Sequence, residues 1–100
     1  MVLTSSFASV YDAAKGLNRG KTYVESDWAP LTYEDGKNAP TTPVAYRVSK
    51  VLAEKTAWEF VEKNEASWDL AALCPWMVFG ALMSGSIAGL AEFGTSNATV

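Results

Sequence analysis

The sequence predicts an α/β fold, the central β-α-β segment of a doubly wound parallel sheet. Three observations carry that expectation. The chain opens on Val2-Leu3-Thr4-Ser5-Ser6, a short run that reads as a strand apolar on both faces, as strands inside parallel sheets are. A helical pattern follows from about Pro43 to Asn64, and a second buried strand is expected from Trp68 to Leu73. Strand, connection, helix and strand make a crossover, which is expected to be right-handed with parallel strands.

Each element has its own justification. The first strand needs neighbours on either side, and 100 residues cannot supply two, so the chain is expected to be a fragment of a larger domain. Phe7 to Pro40 is broken by Gly16, Gly20, Pro30, Gly36 and Pro40 and is expected to be mostly irregular. A connection this long is usually functional or disordered, and Tyr11, Tyr23, Trp28 and Tyr33 favour a packed, functional loop. The helix has Thr42 as its expected N-cap and Pro43 at its first position. Val44, Val48, Val51, Leu52, Phe60 and Val61 approximate its buried stripe, with Glu59 and Lys63 paired on the wet side. Leu82 to Phe93 is expected to be a further helix, weakened by Gly85 and Gly89.

Composition removes several functions. A content of 49% hydrophobic and 12% aromatic residues fits a globular domain rather than a disordered segment. A net charge of -3 argues against a general polyanion binder, so no nucleic-acid partner is expected. With no histidine, Ser-His-Asp and Cys-His catalysis and most zinc sites are out, and no metal is expected. The single cysteine, Cys74, reads as a small buried hydrophobe. The start lacks the basic region and long apolar run of a signal peptide. The longest apolar stretch, Ala71 to Met83, is interrupted by Pro75 and Gly80 and falls short of a membrane span. A cytoplasmic protein with no membrane partner is the expectation.

The chemistry is concentrated at Tyr46-Arg47-Val48-Ser49-Lys50. Four residues is just over one helical turn, so the phenol and the ammonium project from one face. The positive charge favours the phenolate and brings a phenol of unperturbed pKa about 10 nearer to working pH. By itself this is also the spacing of an ordinary surface pair. Other segments raise its meaning. In open parallel sheets, ligands bind outside the carboxyl ends of the strands. Ser5-Ser6 and the Pro75 to Gly80 loop both lie on that edge, with the helix between them in sequence.

Taken in order, these segments resemble the extended short-chain dehydrogenase/reductase superfamily, in its dihydroflavonol-reductase-like branch. Val2 to Val10 is similar to the serine strand, Glu25-Ser26-Asp27-Trp28 to an acidic-Trp loop, and Ala45 to Lys50 to the catalytic helix. Glu54 to Phe60 is similar to the helix continuation, and Pro75-Trp76-Met77-Val78-Phe79-Gly80 to the cofactor loop. The resemblance implies a Rossmann-like fold and NAD(P)H-dependent reduction of an aldehyde or ketone, or the reverse oxidation, with NADP(H) preferred to NAD(H). It implies Tyr46 as general acid, Lys50 as its modulator and ribose partner, and Ser6, in preference to Ser5, as the substrate-oxygen donor. Pro75 and Val78 would line the nicotinamide. Trp28 and Trp58 read as packing residues, and Glu25 and Asp27 as solvated loop acids.

The chain departs from the pattern in lacking the Gly-x-x-Gly-x-x-Gly loop, the first strands and the substrate domain. Cys74 stands where asparagine is common, and Ala81 where a proline often follows. Residues 1–100 are therefore expected to be a piece of the nucleotide-binding domain, inactive alone. The same superfamily leaves open a nucleotide-sugar epimerase or dehydratase, and a non-catalytic truncated product is the remaining alternative.

Overall fold

The computed structural model describes residues 1–16 and 19–81. The elements in chain order are β1 (Val2–Thr4), 3-10 turns at Phe7–Ser9 and Ala13–Lys15, α1 (Tyr33–Lys37), α2 (Thr42–Lys63) and β2 (Ala71–Leu73). β1 and β2 pair in parallel, with Val2 opposite Ala71, Leu3 opposite Ala72 and Thr4 opposite Leu73. This is the expected β-α-β unit, with both strands shorter than their apolar runs.

Pro75 accounts for the early end of the ladder. The Ser5 N–H reaches the Leu73 carbonyl at 2.7 Å, and the Phe7 N–H reaches the Pro75 carbonyl at 3.0 Å. The return bond between them would need a donor at position 75, and proline has none. Regular pairing therefore stops while the two chains stay side by side. Ser6 lies between two anchored neighbours.

α2 begins at Thr42, with extended Thr41 at the N-cap making no side-chain cap bond, so the cap falls one residue before the expected Thr42. Pro43 sits in the first turn, where its missing N–H has no helical partner to lose. At the other end the Asn64 side chain donates to the Phe60 carbonyl at 2.7 Å.

The buried face of α2 differs from the expected stripe. Val48, Val51 and Glu54 are its buried residues, whereas Phe60 is 56% exposed. Helical phase explains both. Phe60 is nine residues beyond Val51, which turns it about 180° away, while Glu54 lies about 60° from Val51. The expected Glu59–Lys63 pair does not form, and among the described residues the ion pairs are Lys15–Asp12 at 3.4 Å and Lys21–Asp27 at 2.7 Å.

Phe7 to Pro40 is more ordered than its breakers suggest. α1 starts at a capping box, in which the Asp35 N–H reaches the Thr32 hydroxyl and the Asp35 carboxylate accepts from the Thr32 N–H at 2.7 Å. The Ala29 N–H binds the Ser9 carbonyl at 2.8 Å, and both residues are buried. That bond pins the loop before α1 onto the turn after β1. α2 packs against both α1 and the first 3-10 turn. The expected helix at Leu82 to Phe93 lies outside the described residues. Among the described residues no helix is long and apolar enough to cross a membrane.

The α1–α2 contact depends on Gly36. A Cβ there would come within 2.6 Å of Val48 Cγ1 and 3.1 Å of its Cβ. Val48 is buried and β-branched, so it has little rotamer freedom with which to yield. Gly36→Ala should destabilise the fold by about 1–3 kcal/mol through overpacking. Denaturant unfolding measures it, and an unchanged midpoint would show that α1 can shift away at no cost.

Candidate active site

Tyr46 and Lys50 share one face of α2, with Lys50 Nζ 5.4 Å from the centre of the Tyr46 ring. Tyr46 is 51% exposed, so its hydroxyl is open to solvent or a ligand rather than committed to the core. The backbone under the pair is regular helix, reinforced by the Ser49 hydroxyl donating to the Tyr46 carbonyl at 2.7 Å. Phenol and ammonium are held side by side by helix geometry alone.

Ser5 and Ser6 are chemically distinct in this setting. The Ser5 hydroxyl donates to Glu54 Oε2. Ser6, extended, caps the first 3-10 turn, where its Oγ accepts the Ala8 N–H at 3.2 Å. Accepting leaves the hydroxyl proton of Ser6 available, and among the described residues it donates to no protein acceptor. Ser5 is occupied structurally, and Ser6 keeps a free donor at the strand end. Among the described residues no hydrogen bond joins Ser6 to Tyr46.

Glu54 was absent from the expected site residues, yet it is the most heavily bonded side chain near the site. It is only 6% exposed. Its Oε2 takes the Ser5 hydroxyl, the Ser9 hydroxyl at 2.7 Å and the Cys74 thiol at 3.6 Å. Burial alone would push this carboxyl up, but the hydrogen bonds it accepts, from Ser5 and Ser9 first, outweigh it and hold the group below its ordinary value. The signal was present in the sequence. Glu54 follows Lys50 at the same four-residue spacing that relates Lys50 to Tyr46, and it lies within the phase of Val51. Cys74 is half-buried and touches this cluster rather than sitting in a purely apolar core.

Pro75 is fixed through its carbonyl to Phe7, directly beside Ser6. Val78 is 67% exposed, so its side chain is accessible rather than part of a core. Phe7 and Trp76, next in sequence to Ser6 and Pro75, meet at a tilt with centroids 4.6 Å apart, and Tyr23 meets Phe7 edge-on at 5.0 Å. The carboxyl edge is thus walled by aromatic rings. Asp27 is not a free loop acid. It accepts Lys21 Nζ at 2.7 Å and the Val24 N–H at 2.9 Å, and the Lys21 hydrogen bond holds its carboxyl below the usual range. Trp28 is half-buried under Lys55, whose Nζ is 5.2 Å from the ring. A cavity of about 700 Å³ opens between Phe7, Tyr23, Trp28, Glu54, Trp58 and Cys74. Ser6, Tyr46, Lys50, Pro75 and Val78 do not line it.

The architecture is that of a segment of a Rossmann-type α/β fold. The chain superposes on the crystal structure of yeast methylglyoxal/isovaleraldehyde reductase Gre2 complexed with NADPH, with a TM-score of 0.71 and 43% identity over 82% of this chain and 24% of that one. In sequence it is 45% identical over 85 residues to the NADPH-dependent methylglyoxal reductase GRE2 of Saccharomyces cerevisiae, covering 83% of this chain and 24% of the relative. It is 37% identical over 90 residues to the ketoreductase adrE of Penicillium rubens, covering 89% of this chain and 25% of the relative. The chain spans about a quarter of the length of these relatives. No protein-family model matches it. These similarities bear out the resemblance read from the sequence, with methylglyoxal-reductase-like members of the short-chain dehydrogenase/reductase superfamily as the relatives that the chain matches.

The Glu54 cluster sets an acid limit. A carboxyl lowered on folding contributes stability above its unfolded value and loses it as pH falls through the folded one. Stability should therefore decline as pH drops through and below the ordinary glutamate range, and Glu54→Gln should flatten that part of the profile. Denaturant titrations at a series of pH values compare the two proteins. Identical acid profiles would show that Glu54 contributes none of the slope.

Proposed function

We propose that this chain is the catalytic β-α-β portion of an NADPH-dependent carbonyl reductase, acting on a small aldehyde or ketone or on the alcohol in reverse. The reading is carried by Tyr46 paired with Lys50 on the exposed face of α2, which packs against the turn that Ser6 caps. Ser6 keeps its proton free there, and the comparisons give NADPH-dependent reductases as relatives.

The cofactor, when bound, supplies hydride to the carbonyl carbon. The residues present suit it: the Lys50 ammonium can bind a ribose hydroxyl, and Pro75 and exposed Val78 offer a surface for the nicotinamide. Everything else falls to this chain. As the carbon is reduced, the carbonyl oxygen takes up charge, and Ser6 offers it a preorganised hydrogen-bond donor. Tyr46 transfers its phenolic proton to that oxygen, completing the alcohol. The phenolate left behind is exposed and recovers its proton from solvent.

The match to about a quarter of each relative supports a longer protein in which further chain supplies the nucleotide-phosphate loop and the substrate domain. The sequence itself holds no Gly-x-x-Gly-x-x-Gly turn to receive a pyrophosphate at a helix N-terminus. A cytoplasmic location goes with this reading.

A chimera tests it, with this chain replacing the matching stretch of the Saccharomyces reductase. Tyr46→Phe should lower turnover by about 10²–10⁴-fold, the contribution of a positioned acid, without disturbing packing. Lys50→Met should lower turnover and weaken NADPH binding as well. Steady-state kinetics and a fluorescence titration of NADPH separate the two effects. Wild-type turnover in Tyr46→Phe, or a folded chimera that binds NADPH and reduces no carbonyl, would reject the reading.

A further inference from the structure

The helix carrying Tyr46 and Lys50 and the strand end carrying Ser6 are separate elements, and a reductase needs them in fixed register. The polar link between them is Glu54. It lies on α2 one turn beyond Lys50, and its Oε2 gathers the hydroxyls of Ser5 and Ser9, which bracket Ser6 in sequence. We propose that Glu54 is a positioning residue, clamping the turn around Ser6 to the catalytic helix so that the Ser6 hydroxyl and the Tyr46 phenol meet one substrate oxygen. The proposal rests on the reductase reading above.

The hydrogen-bond inventory supports the clamp. Ser9 Oγ is 2.7 Å from Glu54 Oε2 and 2.8 Å from the Ser6 carbonyl, yet a hydroxyl has one proton to give. The Ser6 carbonyl already receives the Ser9 N–H at 2.9 Å. The Ser9 proton can therefore go to the carboxylate, the stronger acceptor because it is charged, without leaving the carbonyl unpaired. Ser9 is fully buried and its own carbonyl holds Ala29, so it has no room to turn elsewhere. Ser5, on the other side of Ser6, is held at both ends, by its N–H to Leu73 and its hydroxyl to Glu54. Ser6 is thus bracketed by two residues that share one carboxylate oxygen on the helix. Among the described residues Ser6 makes no hydrogen bond to Glu54, so the carboxylate can fix its place without taking its proton.

The test uses the active chimera and separates positioning from general stability. Glu54→Leu keeps bulk and removes the acceptor, and it should lower kcat by about 10²-fold, the cost of a misplaced catalytic group. The NADPH dissociation constant should stay near that of the parent, since Lys50, Pro75 and Val78 remain in place. Glu54→Gln retains an acceptor oxygen and should restore most of the lost kcat. Adding Ser5→Ala and Ser9→Ala to Glu54→Leu should cost little more, because all three groups act through one interaction.

If Glu54→Leu does not fold, the Ser5→Ala/Ser9→Ala pair, which removes only hydroxyls, carries the same test. A drop in kcat at constant NADPH affinity supports the clamp. Unchanged kcat overturns it, as does a parallel loss of kcat, NADPH affinity and melting temperature that Glu54→Gln does not rescue. Tyr46→Phe is run alongside. If that variant is inactive while the Glu54 and serine variants are silent, only the clamp fails; if Tyr46→Phe keeps full activity, the reading of the site fails.

Discussion

A buried carboxylate is the constraint around which this segment is arranged. Removing a carboxylate from water costs several kcal/mol even after the protein relaxes. A hydrogen bond to a charged group contributes about 1.5–3 kcal/mol. Glu54 receives two such bonds from serine hydroxyls and a weaker one from Cys74, so cost and gain are of similar size. The balance holds only while every donor is present. Ser5, Ser9 and Cys74 come from three places in the chain, and the carboxylate obliges β1, the first 3-10 turn and the end of β2 to meet α2 at one point.

The backbone reinforces the same point. Parallel pairing fixes β1 to β2, and the missing donor of Pro75 ends the ladder beside Ser6. The hydrogen bonds on either side of that gap keep the serine and the proline loop adjacent. The tilted contact of Phe7 with Trp76 joins the same two segments through their side chains. The side chains at this edge are displayed on backbone that has little freedom left.

Much of this was legible in the sequence, and the misses have physical causes. The strand–helix–strand order, the long helix and the Tyr46–Lys50 face follow from periodicity alone, and the structure reproduces them. α1 was hidden because Gly36 reads as a breaker, although Thr32 and Asp35 carry the spacing of a capping box. Phe60 was placed in the core by its hydrophobicity, when its phase opposite Val51 sends it to the surface. Glu54 was passed over for the converse reason. A charged residue inside a helix suggests solvent, and its partners Ser5, Ser9 and Cys74 lie 49, 45 and 20 residues away in sequence. The pairing of Asp27 with Lys21 and Val24 was hidden likewise, because it depends on how the loop folds back.

Tyr46, Lys50, Glu54 and Trp58 recur at every fourth position of α2, a row that drifts by about 40° at each step. That drift carries the row from the open edge, where the phenol and ammonium stand, down to the dry interior, where the carboxylate is held. The helix therefore works as a screw whose two ends must be cut to one thread. Side chains along it can be exchanged while the thread is kept. Adding or removing a single residue between Lys50 and Glu54 would turn one end by about 100° against the other, parting Tyr46 and Lys50 from the buried carboxylate while leaving the helix itself unbroken. Length in this stretch is more tightly constrained than identity.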